Sequence, residues 1–402
     1  MRIAMVSEHA NPLAVLGGVD AGGQNVHVAA LAAQLVRRGH EVTVFTRRDD
    51  PDVVTQLRAP AGYLVEHVTA GPPSEVPKDA LWPYIGDFGR HLAVRWAYER
   101  PDVVHAHFWM SGVAAMAAAG PLGIPLIQTF HALGAVKRRH QGRSDTSPVQ
   151  RIRAEERLCQ QADHVIATCS DEVEELVAAG LQTDRVSVAP CGVDVRRFTP
   201  ASEPGDGRQR LVVVGRLVER KGVADVVDAM ATLHGVELYV AGGPVRHALD
   251  LDPEVQRLRH RAKAAGVLER VHFMGRIGHA DLPSVYAMAD VVVSVPWYEP
   301  FGIVPLEAMA CGRPIVGSAV GGLLDTVVPR VTGELVPPRR PDILSAALRD
   351  LLADAPRRAA YGAAGVRRVR RHYTWERVAA DTEEVYGCVA ADAVAPVAEA
   401  VR

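Results

Sequence analysis

The sequence has little of what marks secreted, membrane or nucleic-acid-binding proteins. Its 402 residues contain five cysteines, an odd number with no C-x-x-C pair, which predicts reduced thiols rather than a disulfide framework. The formal net charge of −2 provides no overall field that would attract nucleic acid or a membrane. The apolar run after Met1 is too short for a signal-peptide core. These absences predict a cytoplasmic protein.

A long uncharged stretch is present, but it is not continuous enough to cross a membrane. The stretch from Phe108 to Ala135 contains no Lys, Arg, Asp or Glu, and it is interrupted by glycines and prolines between positions 112 and 125. A buried helix followed by a strand fits this pattern better than a membrane span.

Short β-rich apolar runs alternate with longer helical patterns, which is typical of parallel α/β units. A chain of this length exceeds what one core usually supports, so two domains are expected. The turn-rich stretch 199–207 predicts a linker. We therefore expect two doubly wound, Rossmann-like domains over residues 1–199 and 200–374.

The predicted strands follow the apolar runs, and a first helix is predicted over 24–38 after a loop that contains Gly17-Gly18 and Gly22-Gly23. Sheets of this kind bind ligands at the carboxyl ends of their strands, and two facing halves form an interdomain cleft. The strands are predicted at 2–6, 42–45, 103–104, 126–129, 165–168, 186–190, 211–214, 237–240, 271–274, 291–295, 314–316 and 333–336.

Two loops of the second half carry groups suited to a phosphorylated ligand. Arg216 and Lys221 lie in one loop after a predicted strand, and Arg and Lys both bind phosphate oxygens. A solvated charged loop is the alternative for this motif taken alone. In the second loop, Gly302 permits close backbone approach at a helix start, and Glu299 and Glu307 can both face that point. Stabilisation of a helix N-terminus would explain one Glu but not the whole loop.

These motifs, with Cys311-Gly312-Arg313-Pro314, resemble the donor domain of retaining family 4 glycosyltransferases, which have the GT-B fold. The resemblance covers nearly the whole chain. It implies that Arg216 and Lys221 clamp the donor diphosphate and that Glu307 binds the ribose hydroxyls. It places Glu299 beside the donor sugar. The resemblance also assigns sugar and phosphate contacts to the backbone amides of Phe301, Gly302 and Ile303, and a backbone contact with the base to Arg276.

The first half offers groups for the reacting sugar. Gly22 and Gly23 open a helix whose amides suit the distal phosphate of the donor, although a glycine turn needed for chain geometry alone is the alternative. His131 follows a strand, and its equivalent in the family contacts the reacting sugar. His105 and His107 share one face of an extended segment, but no third ligand is evident, so no metal site is predicted.

On the acceptor side, the first half most resembles the family members of mycothiol synthesis, which join N-acetylglucosamine to inositol phosphate, and more distantly sucrose-phosphate synthase. That resemblance assigns the acceptor phosphate to Asn25, Lys78 and Arg151. In place of a metal role, His107 is expected to line the acceptor pocket, together with Phe108. Phe108 and Ala132 stand where those enzymes have Tyr and Thr, and both lack a hydroxyl donor. The acceptor is therefore left open. The basic segment 137–153 is interpreted as an acceptor subsite, a membrane-docking surface or a solvated face.

The combined expectation is a retaining, metal-independent hexosyltransferase with His131, Glu299, Arg216 and Lys221 as its catalytic set. Its co-substrate is a nucleoside diphosphate sugar, UDP- or GDP-linked, and its acceptor is a small, anionic or phosphorylated molecule. No separate cofactor, nucleic acid or transmembrane segment is expected, and a homodimer is left open. The family also leads us to expect a C-terminal helix, about 375–395, packed on the first domain. The alternatives are a nucleotide-sugar epimerase or hydrolase and an inactive nucleotide-sugar-binding regulator.

Overall fold

A computed structural model describes residues 1–14, 22–201 and 207–394 of the chain. Gly17, Gly18 and the centre of the predicted linker lie outside the described residues. The chain divides into two compact units, Met1–Ala189 with Trp375–Arg402, and Pro190–Thr374. The sequence prediction placed the division between residues 199 and 200. Within the described ranges, no helix is long and apolar enough to cross a membrane.

The first unit is an α/β sheet with helices on both faces. Its sheet has the order β3-β4-β2-β1-β5-β6-β7-β8, in which only β3 runs antiparallel to its neighbour. Its strands are β1 (Arg2–Val6), β2 (Glu41–Arg47), β3 (Gln56–Arg58), β4 (Leu64–Val68), β5 (Val103–His107), β6 (Leu126–Thr129), β7 (His164–Ala167) and β8 (Val186–Val188). Its helices are α1 (Gly23–Arg37), α2 (Ile85–Tyr98), α3 (Trp109–Ala119), α4 (Gly134–Gln141), α5 (Arg151–Gln161), α6 (Ser170–Ala178) and α14 (Trp375–Val394).

The second unit is a fully parallel sheet of order β11-β10-β9-β12-β13-β14. Its strands are β9 (Gln209–Val214), β10 (Val236–Ala241), β11 (Val271–Gly275), β12 (Val291–Ser294), β13 (Ile315–Ser318) and β14 (Gly333–Val336). Its helices are α7 (Val223–Ala229), α8 (Pro253–Ala264), α9 (Leu282–Ala287), α10 (Ile303–Ala310), α11 (Gly322–Thr326), α12 (Pro341–Leu352) and α13 (Ala355–His372).

Each sheet changes the direction of its strand order at one point, and such points are where open α/β sheets bind ligands. In the first unit the change falls between β1 and β5, and in the second between β9 and β12. The aliphatic side chains of the strands are buried against helices on both faces, as parallel sheets require. The loops that leave β5, β9 and β12 therefore occupy the positions expected for a ligand site.

The predicted α/β class and doubly wound topology are confirmed. Three predicted strands, 2–6, 126–129 and 333–336, have the bounds observed for β1, β6 and β14, and the others differ by a few residues. The strands β3 and β4 were not predicted. β3 is an exposed edge strand, and β4 buries Glu66 and His67, which break its apolar pattern. Glu66 is held there by His91 at 2.8 Å and Arg95 at 3.1 Å.

The C-terminal helix α14 packs on the first unit through polar as well as apolar contacts. The hydroxyl of Tyr386 lies 2.6 Å from Nδ1 of His105, and Oε1 of Glu383 lies 2.7 Å from Nε2 of His40. The ring of Trp375 meets the ring of His27 edge-on, with 5.5 Å between centroids. Because these partners lie on α1 and β5 and in the loop that precedes β2, one helix ties together distant parts of the unit.

Four buried imidazoles, those of His27, His105, His107 and His131, form a contiguous cluster in the first unit. Burial lowers the pKa of His27 to about 4. Burial, together with the charge that His27 would carry, lowers the pKa of His105 to about 3. Burial likewise holds the pKa values of His107 and His131 well below their usual range. All four side chains are therefore neutral at neutral pH.

We expect the free energy of unfolding to fall as the pH drops below about 6.5. The four histidines then take up protons in the unfolded chain, whereas their lowered pKa values keep them unprotonated in the folded chain. The loss continues towards the folded pKa values of about 4 and 3. His27 and His105 should each contribute a loss of about 2 kcal/mol at pH 5, at about 1.36 kcal/mol per pKa unit. Urea unfolding at neutral and acidic pH measures this loss.

The matched variants are His105→Gln, which should flatten the pH dependence, and His234→Gln at an exposed position, which should leave it unchanged. A wild-type midpoint that does not move between pH 7 and pH 5, or an equal fall in His105→Gln, would contradict the expectation.

Candidate functional site

The loops that leave β9 and β12 are bonded to each other in the second unit. The backbone N–H of Trp297 donates to the carbonyl of Arg220 at 2.8 Å. Gly222 ends the first loop with φ 72°, and a Cβ at this position would lie 2.0 Å from the carbonyl oxygen of Val295. Only glycine therefore allows the two loops to approach this closely.

Lys221 and Glu299, both predicted from the sequence, form an ion pair across these loops. Burial opposes ionisation of the Glu299 carboxyl. The charges of Lys221 and Arg220 and the backbone N–H of Phe301 outweigh it, and hold the Glu299 pKa below its usual value. Burial lowers the pKa of Lys221, and the charge of Glu299 opposes that shift. The pair thus places a cation beside a carboxylate at the carboxyl edge of the sheet.

Helix α10 begins at this edge. Gly302 is its N-cap in the left-handed conformation, with φ 72° and ψ 38°, and Ile303 is its first residue. No side chain caps the helix start. A helix N-terminus carries backbone N–H donors and a partial positive charge, which favour an anionic ligand. Gly322 braces the loop, because its N–H donates to the carbonyl of Glu299 at 2.8 Å.

Glu307 lies within α10 and is almost completely buried. Its Oε1 lies 2.9 Å from Nε2 of His279, and its Oε2 accepts a hydrogen bond of 2.6 Å from the hydroxyl of Tyr286. The sequence reasoning found Glu307 but missed both partners. The signal available for His279 was its place in the loop after β11, three residues beyond Arg276.

The remaining predicted residues of this unit lie in loops at the same edge. Arg216 is exposed in the loop after β9. Arg276 is exposed after β11, and its backbone N–H donates to the carbonyl of Pro244 at 2.8 Å. That bond joins the loop after β11 to the Gly242-Gly243-Pro244 turn after β10.

In the first unit, two bulky residues follow neighbouring strands with a positive φ. Phe108 after β5 has φ 82°, and His131 just beyond β6 has φ 61°. Such conformations are rare for residues with a Cβ and occur disproportionately at functional sites. Nδ1 of His107 and Nε2 of His131 lie 2.9 Å apart, so one imidazole donates to the other. Nε2 of His107 is buried without a hydrogen-bond partner in the described structure.

The Phe108 ring lies close to two cations. Nζ of Lys78 is 5.4 Å from the ring centroid, and the guanidinium carbon of Arg151 is 5.0 Å from it. Arg151 is buried, and it donates to Oε1 of Glu155 at 2.7 Å and to the carbonyl of Ala132 at 2.5 Å. Glu155, which sequence reasoning missed, therefore compensates the charge of Arg151.

The predicted phosphate-binding start of α1 is present, and its polar groups are partly engaged. Gly22 is the N-cap, and its N–H donates to Oδ1 of Asn25 at 2.9 Å. Nδ2 of Asn25 donates to the carbonyl of Asn11 at 2.9 Å. Asn25 thus shapes the helix start, while Gly23 is the first residue of α1.

The basic segment 137–153 is largely neutralised by nearby carboxylates. Lys137 pairs with Asp145 at 3.0 Å, and Arg139 pairs with Glu175 at 2.5 Å. Within the described residues, no group of three or more His, Cys, Asp or Glu side chains is arranged to hold a metal ion. The histidines of β5 instead pack against each other, with 4.1 Å between the ring centroids of His105 and His107.

Comparison with known proteins agrees with this division of the chain. Residues 21–197 match the model of Glycosyltransferase Family 4, and residues 195–368 match the model of Glycosyl transferases group 1. The two matches together cover most of the sequence.

Curated relatives and a solved structure extend over nearly the whole chain. D-inositol 3-phosphate glycosyltransferase of Corynebacterium diphtheriae is 33% identical over 96% of this chain and 94% of its own. The enzyme of the same name from Xylanimonas cellulosilytica is 36% identical over 96% of each chain. The structure of sucrose-phosphate synthase from Thermosynechococcus elongatus is similar with a TM-score of 0.90 and 31% identity, covering 98% of this chain and 100% of that one.

The two α/β units, the loops at their strand ends and these full-length similarities agree with each other. The chain belongs to the family 4 glycosyltransferases and is a glycosyltransferase of GT-B fold.

Proposed function

We propose that this glycosyltransferase moves a hexose-type sugar from a nucleoside diphosphate donor to a hydroxyl of a small anionic acceptor, with retention of anomeric configuration. The observation that carries the proposal is the Lys221–Glu299 ion pair beside the start of α10. It combines a cation for the diphosphate, a carboxylate for the sugar and the backbone N–H groups of a helix start for phosphate oxygens.

The donor is assigned to the second unit. Lys221 and Arg216 bind the diphosphate, and their positive charge stabilises the negative charge that develops as the nucleoside diphosphate leaves. The amides of Gly302 and Ile303 add donors to the same oxygens. Glu307 accepts from the ribose hydroxyls, and Glu299 holds the sugar. The backbone at Arg276 meets the base.

The reaction needs no protein nucleophile. The acceptor oxygen forms its bond to the anomeric carbon on the face from which the diphosphate departs, and the acceptor proton passes to a phosphate oxygen of the leaving group. The amides at Gly22 and Gly23 bind the distal phosphate, and His131 positions the sugar. Charge is supplied by side chains and the helix start, so the proposed transfer is metal-independent.

The acceptor is assigned to the first unit, where Lys78 and Arg151 lie near the ring of Phe108, the residue that follows His107. The relatives named for D-inositol 3-phosphate and sucrose phosphate support an acceptor or product that carries phosphate. Lys78 and Arg151 supply the positive charge for an acceptor phosphate. Phe108 and Ala132 contribute no hydroxyl, so the phosphate is held by charge and backbone donors.

We expect Lys221→Ala to weaken nucleoside diphosphate binding by roughly ten- to hundredfold, because a charged hydrogen-bond partner of the diphosphate is lost. Thermal-shift titrations with UDP, GDP, ADP and dTDP in EDTA-containing buffer, followed by calorimetry with the nucleotide that stabilises the wild type, measure this. Lys263→Ala, at an exposed position of α8, is the matched control and should bind as the wild type does. Equal binding by Lys221→Ala and wild type would remove Lys221 from the site.

We expect the glycoside product to keep the anomeric configuration of the donor sugar. Proton NMR of the first product formed, read from the anomeric coupling constant before any mutarotation, measures this. An inverted product would exclude the same-face mechanism. Release of free sugar at the same rate with and without acceptor would instead indicate a hydrolase, which is the rival activity on this fold.

We expect Lys78→Ala to raise KM for a phosphorylated acceptor by roughly tenfold or more and to change KM for the unphosphorylated polyol little, because only the former uses the charge. Inositol phosphate, fructose 6-phosphate and their unphosphorylated forms are the probes. Arg153→Ala, an exposed position of the neighbouring basic segment, is the control for a general change of charge. An equal rise in KM for phosphorylated and unphosphorylated acceptors would argue against the contact between Lys78 and the acceptor phosphate.

A further inference from the structure

The buried carboxylate of Glu307 has a different hydrogen-bond donor at each oxygen. Nε2 of His279 lies 2.9 Å from Oε1, and the Tyr286 hydroxyl donates to Oε2 at 2.6 Å. An ionised carboxylate offers about four acceptor positions. Two of these are used inside the protein, which leaves the others for a ligand.

The protonation of His279 follows from its second partner. Nη1 of Arg197 lies 2.8 Å from Nδ1 of His279. A guanidinium has no lone pair to share, so Arg197 must donate and Nδ1 must accept. The imidazole proton of neutral His279 is therefore on Nε2, the atom that faces Glu307. Arg197 thus selects the tautomer in which His279 is a donor to the carboxylate.

The aromatic side chain of Phe198 supports both donors. It is buried and meets the rings of His279 and Tyr286 edge-on, with 5.2 and 6.0 Å between centroids. Burial and the negative charge of Glu307 raise the pKa of Tyr286 well above its usual value, so its hydroxyl keeps its proton. The orientation of both donors is therefore held by packing as well as by hydrogen bonds.

We propose that Arg197 and His279 are positioning residues that hold the Glu307 carboxylate with its free lone pairs directed at the ribose hydroxyls of the donor. This inference rests on the proposed function, since it takes Glu307 as the ribose-binding residue. His279 does not touch the sugar or the reacting atoms. By bonding to one oxygen of Glu307, His279 keeps the carboxylate in one rotamer. The two neighbouring ribose hydroxyls then meet carboxylate lone pairs that are already oriented to accept their hydrogen bonds.

The experiment couples a change in the protein to a change in the ligand. Dissociation constants are measured by calorimetry for UDP against 2′-deoxy-UDP, and for the corresponding ADP and GDP pairs, with the wild type and with His279→Ala. The ribose preference is the dissociation constant of the 2′-deoxy nucleotide divided by that of the ribonucleotide. For the base that the wild type prefers, we expect this ratio to be roughly tenfold or more, since a hydrogen bond to a charged group is lost in the deoxy ligand. In His279→Ala the preference should fall at least threefold.

Three further variants separate positioning from folding. His279→Gln keeps an N–H donor on a side chain of similar reach and should retain most of the ribose preference. Arg197→Met removes the group that selects the tautomer and should lower the preference. Arg196→Ala is the matched control, because this neighbouring arginine is exposed and its Nε lies 3.7 Å from Oδ1 of Asp194. Its preference should equal that of the wild type.

The outcomes are distinct. If His279→Ala lost affinity equally for the ribonucleotide and the deoxynucleotide, the ratio of their dissociation constants would not change. That result would show a general structural role for His279 and overturn the inference, while leaving the proposed function intact. Tighter binding of ribonucleotides by His279→Ala would also overturn it, because His279 would then block the carboxylate. Failure of the folded wild type to bind any of the nucleoside diphosphates would overturn the proposed function and this inference with it.

Discussion

The parallel pairing of β9 with β12 is the contact on which the second unit depends. Leu211 pairs with Val291 and Val212 with Val292, although these residues are far apart along the chain. This register puts the loop that carries Lys221 beside the loop that carries Glu299. Gly222 has no side chain to separate them, and the bond from Trp297 to Arg220 holds them together. Without this pairing, the ion pair and the start of α10 would not lie at the same edge of the sheet.

Ionisable groups that are buried or half-buried in both units have local ion-pair or hydrogen-bond partners, which is the condition for placing such groups away from water. Lys221 is paired with Glu299, Arg151 with Glu155, and Glu307 is bonded by His279 and Tyr286. In each case the partners fix the orientation of the group and satisfy its hydrogen-bonding atoms. Lys221, Arg151 and Glu307 were each identified singly in the sequence, but in the fold each belongs to a small group of side chains that are bonded to each other.

At its strand ends, the first unit differs from the second in the kind of polar groups it places there. Its central polar groups are imidazoles kept neutral by burial, and the backbone at Phe108 and His131 adopts conformations that side chains usually avoid. Tyr386 of the last helix closes the cluster through His105. The unit thus combines a strained strand edge with a core that contains uncharged imidazoles.

By itself, the sequence determined the α/β class, the doubly wound halves, most of the strands and the loops that carry Arg216, Lys221, Glu299 and Glu307. These follow from patterns that are local, such as apolar runs, glycines at turns and charges next to helix starts. Tertiary structure alone decided that β4 is a strand, because buried Glu66 needs His91 and Arg95 from α2 to be tolerated there. It also decided which groups neutralise Arg151 and orient Glu307. Arg197, His279 and Tyr286 lie on separate segments, and no local pattern links residues that meet only when the sheet has formed and its helices have packed against it.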